Sequence, residues 1–240
     1  MGSLPGAPAG SAARADAPGR DNGSSRVAIA PGGDVPRRLT VAAKRGLDVV
    51  ASALGLIALA PVGLCAAVAI GLADGRPVIY RATRAGRHGR PFTMYKFRTM
   101  WRDAAARGPA ITTAADPRVT RVGRVLRRAK IDELPQLWNV LRGDMSLVGP
   151  RPEDPVYVAL YTPAQRAVLA ARPGITGPAQ LAFADETRLL RPGHAHEDYV
   201  DVVLPAKLAV DLEYVATFSP WRDLRILART ARALLHRSGG

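Results

Sequence analysis

Asp132 and Glu133 are adjacent carboxylates at what reads as a helix start. Arg127 precedes them by about one turn, Lys130 lies beside them, and Arg151 follows on a proline-stiffened loop. The positive end of a helix keeps a capping aspartate ionised and draws phosphate to the same place. Arginine forks bind phosphate oxygens two at a time, so carboxylates set among arginines suit phosphoryl transfer. The same two carboxylates could hold Mg²⁺, which takes one or two protein oxygens and leaves the rest to phosphate and water. Spacing alone does not decide this, because most aspartates at helix starts only cap.

Several elements must bring these groups together. From Arg118 the pattern is helical, with Val119, Val122, Val125 and Leu126 on one face and Arg121, Arg124 and Arg128 off it. A second register runs Ile131, Leu134, Leu137, Trp138, Leu141, with Asp132 as its N-cap, Pro135 in the first turn and Gly143 as its end. Gly149-Pro-Arg-Pro152 is an extended, stiff loop, and Arg172–Gly177 is a second turn-rich segment. Upstream, Val78–Tyr80 and Phe92–Phe97 form a hairpin through the Gly- and Arg-rich stretch Ala85–Arg90, and Arg102–Pro117 is a loop. At the C-terminal end Ser219 caps a helix opened by Pro220. Its apolar stripe, Trp221, Leu224, Leu227, Ala228, Ala231, Leu234 and Leu235, suits core packing and membrane-surface contact equally.

Between Asp48 and Asp74 lies an uncharged apolar run, Val49–Ala73, interrupted by Pro61. As a straight helix it would reach about 37 Å, enough to cross a bilayer core. Arg37, Arg38, Lys44 and Arg45 precede it, and Arg76, Arg81, Arg84, Arg87 and Arg90 follow. Basic residues at both ends favour a helix that enters the membrane, breaks at Pro61 and returns to the same face. Residues 1–36 are rich in Gly, Ala, Pro and Ser without apolar periodicity and read as a disordered tail. A net charge of +14 suits anionic partners: phospholipid head groups, phosphorylated substrates or nucleic acid. The single cysteine, Cys65, excludes a disulfide framework, and the four scattered histidines lack zinc spacing.

Six strings in order along the chain resemble the bacterial sugar transferase family, the monotopic phosphoglycosyl transferases that start glycan assembly on undecaprenyl phosphate. They are Lys44-Arg-Gly-Leu-Asp48, Tyr95-Lys-Phe-Arg-Thr-Met100, Asp116–Gly123, Asp132-Glu-Leu-Pro-Gln–Leu141, Gly143–Pro152 with its Met-Ser-Leu-Val-Gly-Pro-Arg-Pro, and Arg172-Pro-Gly-Ile-Thr-Gly177. The resemblance covers about residues 39–229 and is nearest to the short, single-domain branch. Ala60 stands where the family usually has a serine before the helix-breaking proline, and Ala82 where a polar residue is usual.

The resemblance implies transfer of a sugar-1-phosphate from a nucleoside-diphosphate sugar, commonly a UDP-sugar, to undecaprenyl phosphate, in two steps through a covalent aspartyl-phosphosugar, with Mg²⁺. Carried over, Asp132 is the nucleophile and a magnesium ligand. Glu133 is a base or a metal-positioning group. Arg127 and Arg151 bind phosphates, and Lys96 positions the carboxylates or a phosphate. Lys96 could otherwise be a solvated rim charge, Glu153 could simply pair with an arginine, and Asp144 could close the Gly143 turn.

The expected architecture is α+β and mostly helical, with a membrane-embedded, Pro61-broken helix over residues 37–75. A cytoplasmic catalytic domain spans 76–240, with a small hairpin and surface amphipathic helices, seated on the inner membrane of a bacterium and serving surface-glycan assembly. Expected partners are the nucleotide sugar, the lipid phosphate and membrane lipids; self-association stays open. A nucleic-acid-binding protein, suggested by charge alone, lacks any zinc, homeodomain or RNP-type signature. A non-catalytic membrane scaffold is opposed by the intact Asp132, Glu133, Arg127 and Arg151 set.

Overall fold

A computed structural model describes residues 34–104, 106–108, 116–186, 189–191 and 193–238. Helix α1 spans Asp34–Ala73 and carries Pro61 in its interior. It begins inside the stretch read as a tail, the rest of which lies outside the described residues. The expected break at Pro61 is absent: the helix continues on both sides of the ring. A proline forfeits one i→i−4 hydrogen bond, here to the carbonyl of Ile57, and apolar helices absorb that loss in the neighbouring turns.

One face of α1 packs on the rest of the chain. Ala66 and Ile70 are buried with Phe97 and Leu126. The other face is open, with Leu47, Leu54, Ile57, Leu64, Val68 and Leu72 all exposed. Over Thr40–Ala73 the helix is long and apolar enough to cross a membrane, and only 11% of its most apolar window is buried.

Both ends of the apolar run are tied to the same body. At the N-terminal end Arg45 donates to the carbonyls of Val140 (2.5 Å) and Leu141 (2.9 Å). Asp48 accepts from the Ser146 hydroxyl at 2.7 Å and the Leu147 N–H at 3.1 Å. Lys44 pairs with Asp223 at 2.5 Å and donates to the Val148 carbonyl at 3.0 Å. At the C-terminal end Arg98 donates to the carbonyls of Asp74 (2.7 Å) and Gly75 (2.5 Å), the two residues that follow the helix.

Strands β1 (Ile79–Ala85) and β2 (Pro91–Phe97) form the antiparallel hairpin the sequence predicts, with Tyr80 opposite Lys96. Helix α2 (Arg121–Arg128) is capped by Thr120, whose hydroxyl accepts the Gly123 N–H at 2.8 Å. Helix α3 (Gln136–Arg142) ends at Gly143, which turns left-handed at φ 91°. Strand β3 (Ser146–Val148) pairs in parallel with β4 (Gly174–Thr176), so the turn-rich segment Arg172–Gly177 also contains a strand.

Short helices α4 (Pro155–Val158), α5 (Pro178–Ala182) and α6 (Ala195–Asp198) follow, then a π-helical stretch, Tyr199–Val203, running into α7 (Leu204–Ala216). Helix α8 (Pro220–Ser238) starts as expected, with the Ser219 hydroxyl accepting the Arg222 N–H at 3.2 Å. Its stripe resolves in a way the sequence leaves open. Asp223 and Ile226 face inward while Trp221, Leu224 and Leu235 are exposed.

Gly123 lies where α2 meets the chain just after β2, and a Cβ there would stand 2.1 Å from the Thr99 carbonyl oxygen. Both partners are backbone, so neither can move aside cheaply. Gly123→Ala is expected to destabilise the fold by about 1–3 kcal/mol through overpacking. Gly46→Ala, which would meet nothing within 4 Å, is expected to leave stability unchanged or slightly raised. Thermal unfolding of both variants in detergent checks the contrast.

Candidate active site

Asp132 and Glu133 occupy a single 3₁₀ turn, Ile131–Glu133, entered through Lys130 in the left-handed region at φ 57°. Asp132 therefore does not cap α3, as the sequence suggests; that helix starts at Gln136 behind Pro135. The local hydrogen bonds are of the i→i+3 kind: the Glu133 N–H donates to the Lys130 carbonyl at 3.2 Å and the Leu134 N–H to the Ile131 carbonyl at 3.1 Å, which winds Asp132 into a 3₁₀ turn ahead of α3. The charge that faces the two carboxylates comes from side chains rather than from a helix end.

Strand β2 supplies the first of these. Lys96 donates to Glu133 Oε1 at 3.2 Å, and the Lys130 ammonium lies 3.7 Å from the same oxygen. Arg127, in the last turn of α2, donates through Nε to the Thr99 hydroxyl at 2.7 Å. Arg151 is a further positive charge acting on Glu133. Asn139 pins α3 to β2: its side-chain oxygen accepts the Tyr95 N–H at 3.0 Å and its amide donates to the Thr93 carbonyl at 2.7 Å. That fully buried amide keeps the 3₁₀ turn beside Lys96.

Electrostatics separate the adjacent acids. Burial pushes the Asp132 carboxyl above its ordinary range, and the Glu133 charge adds to that; Lys96, Lys130 and Arg127 only partly offset it. Burial would also raise Glu133, yet Lys96, Lys130 and Arg151 together outweigh it and bring that carboxyl down to about 2. Burial lowers the Lys96 ammonium despite Glu133 beside it. The Arg127 guanidinium is likewise lowered, first by burial. One carboxylate is thus firmly ionised, and its neighbour is held at higher energy. Oδ1 of Asp132 is buried and makes no hydrogen bond.

The structure thus gathers Asp132, Glu133, Lys96, Arg127 and Arg151 into one charged cluster and sets Pro61 apart, inside α1. Asp144 does stand at the turn after Gly143, within 3.3 Å of the Asn139 amide and 3.6 Å of Arg142. Glu153 pairs with a tyrosine rather than an arginine, accepting from the Tyr199 hydroxyl at 2.5 Å. Asn139 and Tyr199 escaped the sequence reading. Nothing in their spacing distinguishes a buried amide or phenol from the many that are exposed.

Residues 39–237 match the family described as bacterial sugar transferase. The chain is 46% identical over 214 residues to a UDP-glucose:undecaprenyl-phosphate glucose-1-phosphate transferase of Caulobacter vibrioides, covering 87% of this chain and 76% of that protein. It is 38% identical to a UDP-N-acetylgalactosamine-undecaprenyl-phosphate N-acetylgalactosaminephosphotransferase of Aeromonas hydrophila, over 80% of this chain but 43% of that protein. It is 37% identical to an uncharacterized sugar transferase, EpsL, of Bacillus subtilis, over 82% of this chain and 89% of that protein.

The Lys96–Glu133 pair sets a pH signature. A carboxyl depressed to about 2 stabilises the fold at pH values above its unfolded value of 4.5, and that contribution is lost as pH falls from there through about 2. Lys96→Met is expected to let burial raise Glu133, flattening this acid limb while lowering stability at neutral pH. Unfolding temperatures of both proteins between pH 7 and pH 2.5 measure the difference.

Proposed function

The chain belongs to the bacterial sugar transferase family, and we propose that it moves a sugar-1-phosphate from a UDP-sugar to undecaprenyl phosphate, with Asp132 as the group that carries it. The observation that supports this most directly is a buried carboxylate with an unpartnered oxygen, set among Lys96, Lys130 and Arg127. An aspartate in that position is desolvated, hence a stronger nucleophile than in water, while the cations attract the anionic donor.

In the first step an Asp132 oxygen attacks the phosphorus that bears the sugar. The bond from that phosphorus to the bridging oxygen breaks, and UMP departs with the electron pair. In the second step a phosphate oxygen of the lipid attacks the same phosphorus and the Asp132 carboxylate leaves. The products are UMP and a sugar diphosphate lipid. Two anionic substrates thereby use one pocket in turn, with ping-pong kinetics as the expected pattern. Arg127 and Arg151 hold phosphate oxygens, and Lys96 fixes Glu133.

Glu133 has two candidate roles from sequence, base or positioning group. A carboxyl held near 2 is a poor proton acceptor at neutral pH, so a fixed negative charge is the better reading. A magnesium ion fits this arrangement. Among the described residues no cluster of three or more His, Cys, Asp or Glu side chains comes together. Mg²⁺ needs only one or two carboxylates beside phosphate and water, and the free Asp132 Oδ1 offers one. When bound, the ion would neutralise phosphate charge.

In this reading the protein works at the bacterial inner membrane, with the catalytic domain on the cytoplasmic face. Supporting this are the exposed apolar face of α1 and the exposure of all three tryptophans, Trp101, Trp138 and Trp221, a residue type favoured at membrane boundaries. Both ends of the apolar run are held by the same body, which favours α1 meeting the membrane from one side rather than crossing it.

Incubation with the donor alone, followed by proteolysis and mass spectrometry, is expected to find a sugar phosphate on the peptide containing Asp132. Asp132→Asn is expected to lose the adduct and to slow UMP release by about 10³-fold or more. An adduct-free wild-type peptide, with UMP still released, would remove Asp132 from the role of carrier.

A further inference from the structure

Beside Arg151 is a second buried polar network that the transfer itself does not use. Glu153, two residues along the stiff loop, has both carboxylate oxygens engaged. Oε2 accepts the Tyr199 hydroxyl at 2.5 Å and Oε1 accepts the Asp154 N–H at 3.0 Å. Lys207 is buried, pairs with Glu186 at 2.8 Å, and reaches the Tyr199 oxygen at 3.5 Å with its ammonium 5.2 Å from the ring centre. Arg151, Glu153 and Lys207 line one cavity of about 30 Å³, together with Asp211.

The backbone has a special form at this place. Tyr199 opens the π-helical stretch, and Lys207 follows eight residues later in α7. In a regular α-helix, eight residues would set the two side chains roughly 80° apart. The wider i→i+5 turn takes up much of that rotation and brings phenol and ammonium together. π-Turns are rare and concentrate at functional sites.

We propose that Tyr199 and Lys207 are positioning residues for Arg151: by occupying the Glu153 and Glu186 carboxylates they leave its guanidinium directed at Glu133 and an incoming phosphate. Without the phenol, Glu153 would carry an unmatched buried charge two residues from an arginine. The two would pair, and the guanidinium would turn away from the site. Burial pulls the Arg151 guanidinium down, and Glu133, Glu186 and Glu153 together more than offset it, Glu133 contributing most among the three. The inference rests on the transferase reading for its kinetic test and on geometry alone for its spectroscopic one.

Full-length protein in lipid nanoparticles, assayed for UMP release with undecaprenyl phosphate and UDP-glucose, UDP-galactose or UDP-N-acetylgalactosamine, provides the kinetic test. Tyr199→Phe is expected to lower kcat/KM for the donor about 10–100-fold, mostly through KM, with little change in unfolding temperature. Adding Glu153→Gln to that variant is expected to restore most of the loss, since no carboxylate then competes for Arg151. Wild-type kcat/KM in Tyr199→Phe, or a loss that Glu153→Gln does not rescue, overturns the proposal. Should Tyr199→Phe not fold, Lys207→Gln with Glu186→Gln as the rescuing change reads the same coupling. If no donor turns over in the wild-type protein, the transferase reading fails. The Arg151 Nε–Hε resonance, assigned through its loss in Arg151→Lys, then decides. It is expected to shift in Tyr199→Phe and return in the double variant, and an unmoved resonance overturns the proposal.

Discussion

Two neighbouring carboxyl groups are buried under four cations, and the site stands or falls with that balance. Burial alone would drive both acids toward their neutral forms. Lys96, Lys130 and Arg151 prevent this for Glu133, which stays ionised far below neutral pH, while Asp132 receives less help and is pushed upward. Each cation arrives on a separate element: the hairpin, the end of α2, the left-handed residue before the 3₁₀ turn, and the loop after β3. Removing one does not subtract a single contact. It leaves a buried charge without compensation, the costly case among electrostatic defects.

The apolar helix is built into the same arrangement. Arg45 satisfies carbonyls at the end of α3, whose start follows the Asp132–Glu133 turn, and Asp48 fastens β3, which leads into the Arg151 loop. At the other end Arg98 holds the two residues that follow α1, and the next residue, Thr99, receives Arg127. The long apolar helix and the acid cluster therefore share neighbouring residues at both ends. Under the proposed function, that sharing would let the helix that meets lipid also set the height of the carboxylates above it.

Much of the scaffold was legible along the chain. The hairpin shows in two short apolar runs around a Gly-rich turn, Gly143 ends α3 in the left-handed region, and Ser219 with Pro220 starts α8. These are local signals, each decided within a few residues. The failures were of a different kind. The pairing of β3 with β4 joins three-residue strands far apart in sequence, too short to show a period. The stripe on α8 looked uniform, yet Leu227 packs on the core while Trp221 and Leu224 are exposed, and Ile226, outside the stripe, is buried. Pro61 promised a break that the surrounding turns absorbed.

By itself the amino-acid sequence determined the reagents: an adjacent acid pair, arginines within reach, a long uncharged helix and the family to which their spacing belongs. It did not determine which cation serves which acid. That was decided by tertiary structure, because the 3.2 Å contact between Lys96 and Glu133 and the partnering of Glu153 by Tyr199 join residues 37 and 46 positions apart. Charge state follows from burial and from neighbours brought by the fold, and neither is a property of any short stretch of chain.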